Sequence, residues 1–75
     1  MNEAVSKRSI TIRGHRTSVS LEDAFWRDLR AIADQRGLSL TALITQIDEA
    51  RTKTNLSSAL RLAVLADLHQ RMGDR

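Results

Sequence analysis

The sequence contains no cysteine and only two histidines, His15 and His69. Disulfides and thiolate metal sites are therefore excluded, while the redox compartment is left open. The two histidines lie far apart in the chain and give no metal-ligand spacing, so neither a metal nor another cofactor is expected. There is also no run of about 18 apolar residues and no apolar signal-peptide core near the N-terminus, which predicts a cytoplasmic protein without membrane contact.

The motifs of common enzyme classes are missing as well. The sequence has no glycine-rich loop that could cradle a phosphate, no nucleophile paired with a base and no cluster of metal ligands. We therefore do not expect an enzyme. The 75 residues form at most one small domain, which is marginal without a metal, disulfides or a partner chain. Oligomerisation is the remaining route to stability.

Positive charge is concentrated at the start of the chain. The first 20 residues contain Lys7, Arg8, Arg13 and Arg16 but only one acidic residue, a balance of +3. Residues 21–75 contain eight basic and eight acidic side chains, a balance of zero. This distribution favours a polyanionic partner contacted through the N-terminal segment over a uniformly basic surface.

Residues 16–21 alternate in polarity, as a half-buried strand does. One side carries Thr17, Val19 and Leu21, and the other carries Arg16, Ser18 and Ser20. A solitary strand leaves its backbone donors and acceptors unpaired, so another strand must complete it. A shorter alternating patch at residues 10–12 precedes it, and Gly14-His15 predicts a bend or bulge between the two.

Two helices are predicted directly after the strand. The first runs from about residue 22 to residue 35, and Gly37 stands where its C-terminal cap needs a left-handed residue. Trp26 lies beside the apolar stripe of this helix and is expected to be buried against a third helix or a partner chain. The second helix has Ser39 as its N-cap and ends near Ala50.

The third predicted helix is apolar on more than one side. It is capped by Asn55 or Ser57 and ends near Met72. Its apolar residues form two lines, Leu60, Val64 and Leu68 in one and Leu62, Leu65 and Ala66 in the other. A helix with two apolar sides normally packs against two partners.

The order strand, helix, Gly37-Leu38-Ser39, helix resembles the ribbon-helix-helix fold of the MetJ/Arc class of repressors. The resemblance lies in RTSVSLEDAFWRDLRAIADQRGLSLTALI and covers about residues 16–50. The segments GHRTSVSLE and NLSSALR are similar to an alphaproteobacterial branch of uncharacterised ribbon-helix-helix proteins. The implied fold class is mostly α with one short β ribbon, built as an intertwined homodimer with an additional C-terminal helix.

The sequence pattern and the resemblance together imply a division of the chain, and the resemblance implies a binding site. Residues 1–8 would form a flexible basic arm, residues 9–51 the ribbon-helix-helix core, and residues 52–75 a helix that extends the dimer core. In this family the strand pairs with the same strand of a second chain, and the two-stranded ribbon enters the DNA major groove. The groove-facing side chains would be Arg16, Ser18 and Ser20. The backbone N–H groups expected to hold a phosphate are those around Ser39, Leu40 and Thr41.

Two features depart from the family pattern. Relatives usually carry long polar or basic side chains at all three groove positions, whereas two of the three are serine here. Readout would then be weak or would depend on Lys7, Arg8 and Arg13. As an alternative to the simple ribbon, residues 9–13 could form an outer strand. Two chains would then make a four-stranded sheet about 14 Å across, which is too wide to enter the groove as a ribbon does.

The resulting functional hypothesis is a sequence-preferring DNA-binding transcriptional regulator that acts as a homodimer on double-stranded DNA. A tetramer formed through the C-terminal helix is an alternative assembly. The alternative function is a protein-interaction or assembly module on the same scaffold, in which the C-terminal helix binds a partner and DNA is not contacted.

Overall fold

The computed structural model describes residues 4–73, which form two strands followed by three helices. The elements are β1 (Val5–Ile12), β2 (His15–Glu22), α1 (Asp23–Gln35), α2 (Leu40–Ala50) and α3 (Leu56–Gly73). The predicted fold class, mostly helical with one β ribbon and an additional C-terminal helix, is confirmed. Within this part of the chain, no helix combines the length and hydrophobicity needed to cross a membrane.

The two strands form an antiparallel hairpin within one chain. Their register runs from Ile12 opposite His15 to Val5 opposite Glu22. Arg13 and Gly14 connect them with φ values of 51° and 81°. Positive φ at both central residues is the requirement of a type I′ turn, whose twist matches that of the flanking strands. The strand paired with β2 is therefore β1. This agrees with the alternative in which residues 9–13 form an outer strand, and the strand is longer than that alternative expected.

The start of β1 corrects the prediction of a flexible arm over residues 1–8. Residues 5–8 form the first half of β1 and are paired with the end of β2. The remainder of the predicted arm lies outside the described residues, except for Ala4. The carbonyl of Ala4 accepts a hydrogen bond of 2.9 Å from the backbone N–H of Asp23, so pairing continues past the end of β1.

The predicted helix caps are present at the expected positions. Gly37 has a φ of 68°, and the N–H of Leu38 donates to the carbonyl of Ala33 at 2.8 Å, which ends α1 in a Schellman motif. The hydroxyl of Ser39 accepts a hydrogen bond of 3.0 Å from the N–H of Ala42 at the start of α2. Asn55 caps α3. These local signals explain why the helix boundaries followed from the sequence.

The hydrophobic core is closed within a single chain. Its largest fully buried side chains come from β2 and all three helices, namely Leu21, Leu29, Leu43, Ile44 and Leu60. The family resemblance implied an intertwined homodimer, in which the core would be shared between two chains. Here α3 packs against α1, α2 and β2 and covers the apolar sides of these elements. A second chain is not required to bury them.

Within residues 4–73, one of the two apolar sides of α3 is covered and the other is exposed. Leu60 and Val64 are buried, whereas Leu62, Leu65 and Met72 are 56%, 46% and 60% exposed. Leu68, which was grouped with Leu60 and Val64 in the sequence, is 43% exposed, and the residues that follow it in α3 are exposed as well. The structure thus provides one of the two partners that the sequence predicted for this helix.

Candidate nucleic-acid interface

The hairpin has one face on the core and one face in solvent. Side chains alternate along each strand, and residues paired across the strands share a face. The solvent side ends in the pair of Val5, which is 58% exposed, and Glu22. Between this pair and the turn it carries six polar residues that are all exposed and are called the outer face below: Lys7, Ser9, Thr11, Arg16, Ser18 and Ser20. The structure thus places the three predicted groove-facing residues of β2 on one exposed surface with three residues of β1.

The outer face is positively charged. Lys7 lies opposite Ser20 near one end, and Arg16 lies opposite Thr11 near the other. None of the six side chains makes a hydrogen bond or ion pair with another residue in the range 4–73. Glu22, beyond Ser20 on β2, has its carboxylate bonded to Arg61 at 3.0 Å. The two cations of the outer face are therefore available to an external anion.

Arg8 occupies the other face of the hairpin. Its guanidinium lies 4.8 Å from the centre of the Trp26 ring, a cation–π contact. Trp26 is 2% exposed, and its Nε1–H donates to the carbonyl of Ser6 at 3.0 Å. Trp26 is buried as expected, but these contacts are made with β1 and not with the third helix or a partner chain. Because Arg8 covers a core aromatic ring, it does not point with Lys7 toward an external ligand.

Arg13 is also engaged inside the molecule. Its guanidinium is 2.5 Å from the carboxylate of Asp48 in α2, and Arg51 bonds the same carboxylate at 2.6 Å. The hydrogen bond from Arg51, and then the contact with Arg13, lower the pKa of Asp48 below its usual value. This cluster holds the hairpin turn against the end of α2. Of the three additional cations predicted to contact DNA, only Lys7 is on the outer face.

The N-terminus of α2 has the local geometry that the phosphate prediction requires. Ser39 is exposed and uses its hydroxyl for the N–H of Ala42. The first N–H groups of a helix lack intrahelical partners, which leaves those of Leu40 and Thr41 without a described acceptor. Their binding to phosphate stays a prediction.

Comparison with known proteins identifies the family. The ribbon-helix-helix domain matches residues 5–68. The chain belongs to this family. A solved structure of an uncharacterized protein from Bordetella pertussis Tohama I is similar, with a TM-score of 0.77 and 32% sequence identity. The similarity covers 95% of this chain and 62% of that one, so the chain spans less than two thirds of its relative. No curated protein matches.

This ribbon-helix-helix chain builds a two-stranded ribbon without a second copy. Two strands are separated by about 4.8 Å, and the major groove is about 12 Å wide, so one hairpin is narrow enough to enter it. The unpaired edge of β2 is partly occupied, since the hydroxyl of Ser57 donates to the carbonyl of Ser20 at 3.2 Å. A strand from another chain at this edge would have to share that carbonyl.

Two of the six outer-face residues were missed in the sequence, and a third was predicted to contact DNA from the wrong element. Ser9 and Thr11 were not predicted to contact DNA, and Lys7 was assigned to an arm. The signal was present in the alternation of Lys7, Ser9 and Thr11 with Arg8, Ile10 and Ile12. It was obscured because Arg8 occupies an inward position where an apolar residue is expected.

Proposed function

We propose that the protein is a sequence-preferring DNA-binding transcriptional regulator that inserts the outer face of its hairpin into the major groove. The observation that carries the proposal is this face itself: six exposed polar residues, two of them cations without a partner among the described residues. Family membership supports it, since ribbon-helix-helix proteins typically bind DNA as dimers.

The outer-face residues differ in what they would recognise. Arg16 and Lys7 can each bond the two acceptors of a guanine edge, which is the most discriminating contact in this set. The hydroxyls of Ser9, Thr11, Ser18 and Ser20 can donate to or accept from nearly any base and contribute little discrimination. Ser39, Leu40 and Thr41 at the start of α2 would add a phosphate contact that sets position but does not read sequence.

The first prediction is that DNA affinity depends on salt through Lys7 and Arg16. Replacing both by alanine should flatten the slope of log K against log salt by about two units, because two phosphate- or base-bound cations are lost. Fluorescence anisotropy of a labelled duplex over a salt series measures this slope.

A matched control removes the same charge elsewhere. Arg30 on α1 and Lys53 in the α2–α3 loop are exposed and make no described ion pair. The double variant Arg30→Ala/Lys53→Ala should keep the wild-type slope. The proposal fails if the wild type shows no salt-sensitive binding to any duplex, or if this control loses as much affinity as the outer-face variant.

We further propose that a second copy of the chain docks on the exposed side of α3. The exposed residues Leu62, Leu65, Ala66, His69 and Met72 share one side of the helix at its 3.6-residue spacing, without an Asp, Glu, Lys or Arg among them. An exposed side of a helix normally carries charges, so this one fits an apolar partner.

We expect the α3 helix of a second chain to pack antiparallel against this side, next to a groove between α2 and α3. Antiparallel pairing about Leu65 would place the partner's Met72 level with Ser58. The adjoining groove between α2 and α3, lined by Ile47, Ala59 and Leu62 among others, has a volume of about 310 Å³. Such pairing would leave both hairpins free for DNA.

The second prediction is that cysteines introduced along α3 cross-link two chains. The wild type has no cysteine, so each introduced thiol is unique. Leu65→Cys should form a disulfide dimer rapidly under mild oxidation because the two-fold axis brings the residues together. Gln46→Cys lies on the exposed part of α2 and gives the rate of cross-linking by random collision. Ser18→Cys would cross-link if the β2 strands of two chains paired edge to edge. Cross-linking at Ser18→Cys alone, or at none of the sites above the rate of Gln46→Cys, would contradict docking through α3.

The second candidate function is a protein-interaction module without DNA contact. The same side of α3, which lacks Asp, Glu, Lys and Arg, favours it, because an exposed apolar surface fits a protein partner whether or not DNA is bound. A wild type that dimerises through α3 but fails to bind any duplex in the salt series would support this function over the regulator. Neither function requires catalysis, and we propose that the protein is not an enzyme.

A further inference from the structure

The two strands of the hairpin carry the same order of residue types. Residues 7–12 read KRSITI and residues 16–21 read RTSVSL. Position by position, a cation stands first, a serine third, a β-branched apolar residue fourth, a hydroxyl residue fifth and an apolar residue sixth. The second position differs in kind, since Arg8 of β1 corresponds to Thr17 of β2.

The register of the sheet makes this repeat symmetric in space. Ser9 is paired with Ser18, so the equivalent serines of the two strands face each other. Moving outward from this pair, Lys7 lies opposite Ser20 and Arg16 lies opposite Thr11. A rotation of 180° about an axis through the serine pair therefore exchanges the strands and places each cation on the other. The axis is approximate because lysine replaces arginine and threonine replaces serine.

The outer face consequently has near each end one cation that lacks a partner within residues 4–73, and the two cations stand on opposite strands. The ends are separated by four residues along the strand direction, or about 13 Å at the usual rise. This length corresponds to about four base-pair steps of DNA. The major-groove pattern of a short palindrome has the same two-fold symmetry, with equivalent base edges on opposite strands.

We infer that one hairpin is a complete recognition unit for a short quasi-palindromic DNA element, with Arg16 at one end and Lys7 at the other each reading a guanine. The inference rests on the proposed DNA-binding function and specifies its ligand. In this arrangement β1 lies inside the groove beside β2. In the arrangement of two β2 strands from two chains, Lys7 would lie on an outer strand and read no base.

The experiment is selection of binding sites from a randomised duplex pool, carried out in parallel on the full chain and its variants. Arg16→Ala should relax the base preference at one end of the selected site by about tenfold and leave the other end unchanged. Lys7→Ala should relax the opposite end by a similar factor. Lys7→Arg should make the selected site more symmetric, because both ends then carry the same guanine-reading group.

Arg8→Lys is the matched control, since Arg8 is next to Lys7 on β1 but on the other face, where it stacks on Trp26. It exchanges the same two residue types as Lys7→Arg and should leave the selected site unaltered. The inference is overturned, while the proposed function survives, if Lys7→Ala weakens binding to all sequences equally and Arg16→Ala relaxes both ends together. If the wild type selects no duplex, the proposed function fails together with the inference.

Discussion

Replacing Leu21 by aspartate should abolish the cooperative unfolding transition of this protein. Leu21 is fully buried at the end of β2, and an unpaired carboxylate at such a position costs several kcal/mol. Small domains have roughly 5 kcal/mol of stability to lose. The neighbouring Glu22 and Asp23 would add repulsion. Val19 is a less decisive position because Arg8 lies opposite it and could pair with an introduced carboxylate.

The control for this variant is one residue away. Ser20→Asp introduces the same charge on the outer face, where Lys7 lies opposite and solvent is accessible. It should melt near the wild-type temperature, as followed by circular dichroism. If Leu21→Asp melts cooperatively at nearly the wild-type temperature, the inward orientation of this strand is wrong.

Ending the chain after Arg51 should have a comparably large effect. This truncation removes α3 and with it Leu60 and Val64, each of which contributes roughly 1.5–3 kcal/mol when fully buried. It also removes the helix that packs against α1, α2 and β2. We expect loss of the thermal transition, measured by circular dichroism together with the mass in solution. A truncated monomer with the wild-type melting temperature would show that α3 is only a docking surface.

Two point variants test the packing of α3 without shortening the chain. Leu60→Ala removes a fully buried side chain and should cost about 2–5 kcal/mol, whereas Leu62→Ala removes one that is 56% exposed and should cost much less. Because Leu62 belongs to the proposed docking surface, both variants are best compared at the lowest protein concentration that the signal allows. Equal destabilisation by the two would contradict the orientation of α3.

Local signals in the sequence were sufficient to predict where the helices begin and end. The Ser39 cap and Gly37 in its left-handed conformation fixed where one helix ends and the next begins. These features act through backbone groups a few residues apart, so neighbouring residues alone specify them. The inward and outward sides of β2 could also be predicted from the sequence, because strict alternation of apolar and polar residues leaves one assignment of the two sides.

The full extent of β1 could not be predicted from the sequence in the same way. Its turn uses Arg13 at positive φ, a conformation that non-glycine residues seldom adopt, and its inward row includes Arg8. Arg8 can occupy that row only because Trp26, 18 residues later, offers a ring for its guanidinium. No local pattern reports a contact across that separation.

The sequence by itself determined that this is a small helical domain with a polar, cation-bearing strand, because periodicity and capping depend on residues close together in the chain. The tertiary structure alone decided how the basic residues are divided. Trp26 engages Arg8, Asp48 engages Arg13, and the outer face retains Lys7 and Arg16. Net charge is a property of composition, but the availability of each cation depends on which distant side chains the fold brings beside it.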